Sequence, residues 1–213
     1  MQPASGRRCD HAAGAPVANW ADINRNLSEM VAPSVEPIAL SEAKAFLRID
    51  HSTQDTLIGE LITAARQRVE NDTGRSLINT TWDLWFDTFP TERAITVARL
   101  PLVSVTHVKS YDDDDAEATF ASSKYLVDTV QGRVALNDSA DWPDDLRSYN
   151  SGLIRFVAGF GAASSNVPQP LRLACYQLLT HFYEHADVVQ SSDAISEAYA
   201  GHIAAYRNAA GIA

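Results

Sequence analysis

The sequence predicts an α+β protein: a helical core of about four helices with a small antiparallel β-sheet inserted into it, preceded by an extended N-terminal arm. Three observations lead to this fold class. Apolar residues recur at helical spacing near both ends of the organised part of the chain, they alternate every second residue in its middle, and residues 1–34 follow neither period. Helices on both sides of a block of strands are typical of an α+β domain.

These patterns divide the chain into four segments. The arm covers residues 1–34, the first part of the helical core 35–79, the inserted β region 80–160, and the second part of the core with a C-terminal helix 161–213. The arm is rich in Gly and Pro, and we expect at most one or two helical turns in it, over Trp20–Met30.

Two helices are predicted before residue 80. Ser41 is the expected N-cap of a short helix over Glu42–Arg48. A longer helix follows a capping-box sequence that begins at Ser52, and Gly74 is its expected C-cap. The apolar residues of this second helix share one face, which we expect to be buried: Leu57, Ile58, Leu61, Ile62, Ala65 and Val69.

The period changes to two at residue 80, which predicts a half-buried antiparallel strand. Trp82 and Trp85 point to opposite sides of this strand, so one packs in the core and the other has a surface to cover. Because exposed Trp favours protein interfaces, both are candidates for contacts between subunits of an assembly. Further short strands are predicted between turn sequences: Ile95–Ala98, Val103–Ser110, Lys124–Asp128, Arg133–Leu136 and Leu153–Ala158.

The chain returns to helix after Gly161. Pro168 and Pro170 suit the first turn of a helix whose apolar stripe includes Cys175 and Leu178. A last helix, capped near Ser192 or Asp193, aligns four residues on one face: Ile195, Tyr199, Ile203 and Tyr206.

Composition and charge exclude several classes of protein. The chain has 213 residues, of which 46% are hydrophobic and 21% charged, and no apolar run approaches the length of a membrane span. No basic start precedes an apolar stretch, so we expect no signal peptide. Cys9 and Cys175 lie in unlike contexts, which argues against a disulfide framework. A net charge of −10 argues against a protein that grips nucleic acid through its phosphates.

One short motif suggests an enzyme. His181, Glu184 and His185 match the H-x-x-E-H pattern of a class of zinc metalloproteases, and two His residues four apart share one face of a helix. Such a site needs a third ligand, and Glu197 is the only carboxylate among the last 20 residues. The alternative is a helix whose His side chains lie at the edge of its apolar face. A five-residue pattern matches by chance often, so we favour this second interpretation.

Three other sequences carry no chemistry by this reasoning. Gly159–Ser164 follows a strand but lacks the third glycine and the Gly-Lys-Ser/Thr of a phosphate-binding loop. Asp112–Asp115 lacks the alternating carboxylates and central glycine of a calcium loop, and a solvated hairpin tip fits it better. Cys175 lies in an apolar helix stripe, where a thiol acts as a small hydrophobe. We therefore expect no cofactor and no metal.

A series of short segments resembles the phage head-to-tail connector family, whose members are also called adaptors and also serve gene transfer agents. The resemblance covers about residues 35–207. It is specific because many elements recur in the same order and spacing: Val35-Glu36-Pro37-Ile38, Leu40-Ser41-Glu42-Ala43-Lys44, Thr73-Gly74-Arg75, Thr81-Trp82, Leu100-Pro101-Leu102, Phe156-Val157-Ala158-Gly159-Phe160-Gly161, Val167-Pro168 and His181-Phe182-Tyr183-Glu184. The last of these accounts for the protease-like motif, and only the arm departs from the family pattern.

The resemblance implies a structural protein of the virion neck, assembled in the bacterial host cytoplasm and without catalytic residues. It implies a homo-oligomeric ring, usually of twelve subunits, that lies beneath the portal protein and receives a stopper or tail-terminator protein, with DNA passing through its lumen and no membrane contact. By similarity, the C-terminal segment docks on the portal through Tyr199, Ile203, Tyr206 and Arg207. These residues fit equally well inside their own subunit, because most apolar helix stripes are core. The other functions left open are the zinc hydrolase and a small partner-binding module.

Overall fold

A computed structural model describes residues 19–185 and 197–207, and within those ranges it confirms the α+β fold class. No helix among them has the length and apolar character that a membrane crossing requires. The helices and strands follow one another in this order: β1 (Arg25–Val31), α1 (Leu40–Leu47), α2 (Asp55–Thr73), β2 (Thr80–Phe86), β3 (Ala94–Thr96), β4 (Leu102–Tyr111), β5 (Glu117–Phe120), β6 (Tyr125–Asp128), β7 (Arg133–Leu136), β8 (Gly152–Ala158), α3 (Gln169–Glu184) and α4 (Glu197–Ala204).

The strands form two antiparallel sheets around one apolar core. The larger sheet has the order β1-β2-β8-β4-β5 and the smaller one β3-β7-β6. Side chains of directly paired residues lie on the same face of a sheet. A row of paired residues, one from each strand, therefore has all its side chains on one face of the larger sheet. The central row on the side that faces the core is entirely apolar: Leu27, Leu84, Ile154, Val108 and Phe120. Ile95 and Val134 of the smaller sheet pack against these residues in the same cluster.

The four helices enclose a second, separate apolar core. It joins Ile58 and Ile62 of α2 with Leu171 and Leu178 of α3, and Ile203 of α4 completes it. Both parts of the helical core therefore come together although the β region separates them in sequence. Of the six residues on the stripe predicted for α2, four are buried and Leu61 is partly buried, whereas Leu57 is 42% exposed.

The predicted helix starts differ from those in the structure. The first helix begins at Leu40, and the Glu42 carboxylate accepts a hydrogen bond from the Ala39 backbone N–H at 2.9 Å, so Ala39 takes the N-cap position expected of Ser41. The second helix has no side-chain cap from Ser52. The predicted C-cap is confirmed, because Gly74 has the left-handed conformation, with φ of 66°.

The N-terminal segment differs most from the prediction. Where one or two helical turns were expected over Trp20–Met30, a single 3-10 turn leads into strand β1, which pairs with β2. The Trp20 indole donates to the Thr96 backbone oxygen at 3.1 Å and packs on Phe86. These partners lie more than 60 residues away, so no local pattern reveals them. Strand β5 was missed as well, because its four residues are too few to show a period. The rest of the predicted arm, residues 1–18, lies outside the described residues.

A buried ion-pair network fixes the end of α2 to the chain that enters the β region. Arg66 donates to Glu36 and to Glu70, each at 2.8 Å, and its side chain is 3% exposed. The other oxygen of Glu70 accepts from the Leu77 backbone N–H at 2.7 Å. Burial raises the pKa of Glu70, and the positive charge of Arg66 opposes that shift. Arg99 adds a hydrogen bond to the Glu70 backbone oxygen, which caps the negative end of the helix.

Candidate assembly surfaces

The C-terminal helix α4 packs inside its own subunit in this structure. Tyr199 is 3% exposed and Ile203 fully buried, and both belong to the helical core. This is the alternative that the sequence left open for the apolar stripe. Tyr206 is half-buried and Arg207 is exposed. Of the four predicted portal contacts, these two are therefore the ones that a partner could reach.

Polar and aromatic contacts hold α4 and the residues that follow it in place. The Tyr199 hydroxyl donates to the Asp72 carboxylate of α2 at 2.7 Å. Burial, followed by this hydrogen bond, raises the pKa of Tyr199, so its hydroxyl keeps the proton that it donates. At the other end of the helix, Arg75 donates to the Tyr206 backbone oxygen at 2.7 Å, and the Tyr206 ring packs edge-on against Phe160. The end of α4 is thereby positioned next to the exit of strand β8.

Trp82 and Trp85 lie on opposite faces of β2, as predicted from the alternation. Trp82 is 7% exposed, donates to the Ser76 hydroxyl at 2.9 Å and lies beneath the guanidinium of Arg99. It is a core residue of its own subunit. Trp85 lies on the opposite, outer face of the larger sheet and is partly exposed, so it is the member of the pair with surface available to a neighbouring molecule.

Trp85 is part of an aromatic and cationic platform on this outer face. Its ring stacks on Tyr111 with 5.6 Å between centroids, and the Arg147 guanidinium lies 4.4 Å from the Tyr111 ring. Leu153, which belongs to neither apolar core, is buried on this face in the row that contains Trp85. Beside them, Arg155 donates twice to Asp83, with both bonds 2.7 Å long. Because Asp83 is the more deeply buried partner, the cation is the part of this pair that solvent meets.

The two histidines of the protease-like motif contact each other in this structure. The rings of His181 and His185 stack at 4.8 Å, and Nδ1 of His185 lies 3.0 Å from the His181 backbone oxygen. Glu184 is exposed at the end of α3. Among residues 19–185 and 197–207, no three His, Cys, Asp or Glu side chains come together in a group that could hold a metal ion.

The acidic turn, the glycine-containing segment after β8 and the buried cysteine have structural roles. The Asp112 carboxylate accepts hydrogen bonds from the backbone N–H groups of Asp114 and Ala116, and these bonds close the hairpin between β4 and β5. A Cβ at Gly159 would lie 2.5 Å from the backbone of Asn79, so the glycine is needed for close packing of the strand exit. Burial raises the pKa of the Cys175 thiol, which is consistent with an unreactive core residue.

The structure also exposes apolar side chains that the sequence did not single out. Met30 and Val31 at the end of β1 are 48% and 60% exposed. Phe46 of α1, which packs on Tyr176 of α3, is 52% exposed, and Val130 at the β6–β7 hairpin is 87% exposed. Only long-range packing decides which apolar residues of a half-buried element stay outside, so no sequence pattern could have found them.

The family model for the head completion protein (HCP) matches residues 36–200. No curated protein matches the sequence.

Solved structures of similar fold come from gene transfer agent (GTA) particles. A chain from the neck of an empty GTA particle, computed with C6 symmetry, has a TM-score of 0.74 and 22% identity, with 88% of this chain and 97% of that chain covered. A chain from the virion of a native GTA particle has a TM-score of 0.71 and 21% identity, with 87% and 97% covered. A third, from the neck of a native GTA particle computed with C12 symmetry, has a TM-score of 0.67 and 20% identity, with 88% and 97% covered.

Proposed function

The chain belongs to the head completion protein family, and we propose that it acts as the structural adaptor that joins the DNA-filled head of a tailed phage or gene transfer agent to its tail. The match of the family model to residues 36–200 carries this proposal, because it spans both helical parts and the β region between them. The site of action is the virion neck. Head completion is a structural step, so the work is done by protein surfaces and needs no catalysis.

The adaptor forms a closed ring, with twelve copies as the expected number. The similar GTA neck chains come from structures computed with C6 or C12 symmetry, which supports a ring of this size. Each subunit of a ring buries two unlike surfaces against its neighbours, and further surfaces meet the portal on one side and a stopper or tail-terminator protein on the other. We assign the outer-face platform around Trp85 to contact between subunits, while Trp82 supports the strand beneath it.

The C-terminal segment docks on the portal. Tyr206 and Arg207 are the accessible residues there and make the direct contacts, whereas Tyr199 and Ile203 fix the helix that presents them. A half-buried Tyr next to an exposed Arg suits a protein partner, because these two residue types are enriched at interfaces.

The acidic charge suits a channel for DNA. Twelve copies of a chain with net charge −10 carry about −120, and like charges repel. Residues 80–160 contain 13 of the 27 acidic residues and 7 of the 17 basic ones. We expect DNA to slide past these residues without specific binding.

Co-assembly with the portal tests the adaptor function. The purified chain, mixed with portal rings, should co-sediment as a ring complex in analytical ultracentrifugation, and negative-stain images should show an added ring. Trp85→Ala should lower the occupancy of that ring about tenfold or more, because hot-spot aromatics contribute about 2 kcal/mol or more to an interface. Tyr149→Ala is the matched control, since Tyr149 is 74% exposed and lies outside the platform. A monomeric wild-type chain in the presence of portal rings would refute the adaptor function.

A zinc hydrolase remains the second candidate only on the sequence pattern of His181, Glu184 and His185. No contact among the described residues favours it. Metal analysis of the purified chain decides the question: the adaptor predicts no stoichiometric zinc, and one zinc per chain would support the hydrolase.

A further inference from the structure

The larger sheet has two open edges. Strand β1 pairs with β2 alone and β5 with β4 alone, so each has an outer edge that no other strand of the described residues occupies. The backbone N–H and C=O groups along such an edge are free to pair with another strand. These edges belong to strands of seven and four residues.

The two edges lie on opposite flanks of the subunit. Four strand spacings separate β1 from β5, which amounts to about 19 Å. A cyclic ring requires a head-to-tail contact between two different surfaces, on opposite sides of each subunit. An open sheet meets this requirement because its two edge strands are different and lie on opposite sides. A contact through one edge only would be self-complementary and would close a dimer instead.

We propose that β1 of one subunit pairs with β5 of the next, so that the larger sheets join into a continuous β-layer around the ring. This inference rests on the proposed ring and names the contact that closes it. The partner of each edge is a second copy of this chain.

The strand directions agree with rotational symmetry. Each of the four neighbouring pairs in the sheet is antiparallel, so strand direction reverses four times and β1 and β5 run in the same direction. When the strands lie close to the direction of the ring axis, a small rotation about that axis preserves strand direction, and adjacent sheets in the ring would then meet through a parallel pair. Parallel pairing of one short strand is weak, which suits a contact that forms only when the portal aligns the subunits.

The residues along the two edges allow such pairing. Neither β1 nor β5 contains Lys or Pro, which proteins use to protect open edges. Charge does not oppose the contact: β1 carries one Arg and one Glu, and Glu117 of β5 is already paired with Lys109 at 2.6 Å. Met30 and Val31, at the end of β1, gain burial when a strand is added beside them.

Trp85 lies one strand in from the proposed junction. It belongs to the outer-face row that runs across the whole sheet: Asn26, Trp85, Leu153, Lys109 and Thr119. Asn26 and Thr119 are the two ends of this row, one on each edge. In a joined β-layer, the end of this row in one subunit lies beside the beginning of the row in the next.

Disulfide cross-linking tests the junction directly. In full-length protein with Cys9→Ser, Thr119→Cys is combined with Asn26→Cys or with Ser28→Cys, which samples two registers on the same face. Cys175 is buried and does not interfere. Within one subunit the introduced residues are about 19 Å apart, too far for a disulfide, whereas neighbouring strands bring Cα atoms to about 5 Å. The rings are assembled on portal, oxidised mildly and run on a non-reducing gel.

We expect at least one double variant to give a ladder of linked chains that extends toward the full ring, and each single variant to stop at dimers. Rings in the images with no ladder from either double variant would overturn the junction and leave the adaptor function intact. Absence of rings from the wild-type chain would overturn the adaptor function itself. A further variant carries Thr119→Cys and keeps the native Cys9. A link between these two cysteines, with no ladder from the double variants, would show that the segment around Cys9 occupies the edge instead, and would also overturn the proposal.

Discussion

At the scale of single residues, the structure contrasts a buried charge network around Arg66 with a partly exposed aromatic ring at Trp85. Alternation along β2 predicted that Trp82 and Trp85 lie on opposite faces, and the structure identifies Trp82 as the core residue and Trp85 as the outer-face residue. The network around Arg66 was not predicted, because Glu36 lies 30 residues before it and only the i to i+4 spacing of Glu70 is visible in sequence. A buried charge depends on partners that the fold brings together, and local patterns do not contain them.

The Glu70 carboxylate gives a stability prediction. Glu70→Ala removes one partner of buried Arg66 and leaves the Leu77 N–H without its acceptor. We expect the free energy of unfolding to fall by about 3 kcal/mol, because buried Arg66 then keeps only its ion pair with the more exposed Glu36, and a buried backbone N–H loses its acceptor. Chemical denaturation of the isolated subunit measures this. Lys44→Ala, which breaks the more exposed pair with Asp55, should cost about 0–1 kcal/mol and serves as the control.

At the scale of elements, long amphipathic helices were predictable and short edge strands were not. Helix α2 and its Gly74 cap were confirmed because 19 residues repeat one pattern. Strand β1 is held by pairing with β2 and by Trp20, both distant in sequence, and therefore looked like part of an arm. Of the candidate surfaces, the outer face of β2 was anticipated, whereas the open edges of β1 and β5 required knowledge of the strand order.

The C-terminal segment contains residues that stabilise the subunit and, after the end of α4, residues that we propose contact the portal. Ile203→Ala should lower the free energy of unfolding by about 2–5 kcal/mol, because it leaves a cavity in the helical core. Arg207→Glu should leave the melting temperature unchanged, since Arg207 is exposed, and should weaken portal binding about tenfold or more. Calorimetry and portal pull-down measure the two effects. Unchanged portal binding by Arg207→Glu would refute the assignment of this segment to the portal.

At the scale of the whole molecule, the resemblance to phage head-to-tail connectors and the α+β fold are both confirmed. The chain folds around two separate apolar cores, one helical and one between the sheets, joined by the Glu70 network and the close approach of Gly159 to Asn79. This arrangement leaves several surfaces of the subunit accessible, and a subunit that contacts neighbours on all sides requires such surfaces. The family was predictable from sequence alone, whereas the placement of those surfaces depends on packing between distant elements.

Completion of tail-less heads tests the adaptor function most directly. DNA-filled heads from a host in which this chain is deleted are mixed with purified tails, with and without purified protein, and tailed particles are counted by electron microscopy. The adaptor function predicts almost no tailed particles without the protein and recovery of tails when it is added. Heads that join tails equally well in its absence would contradict the account.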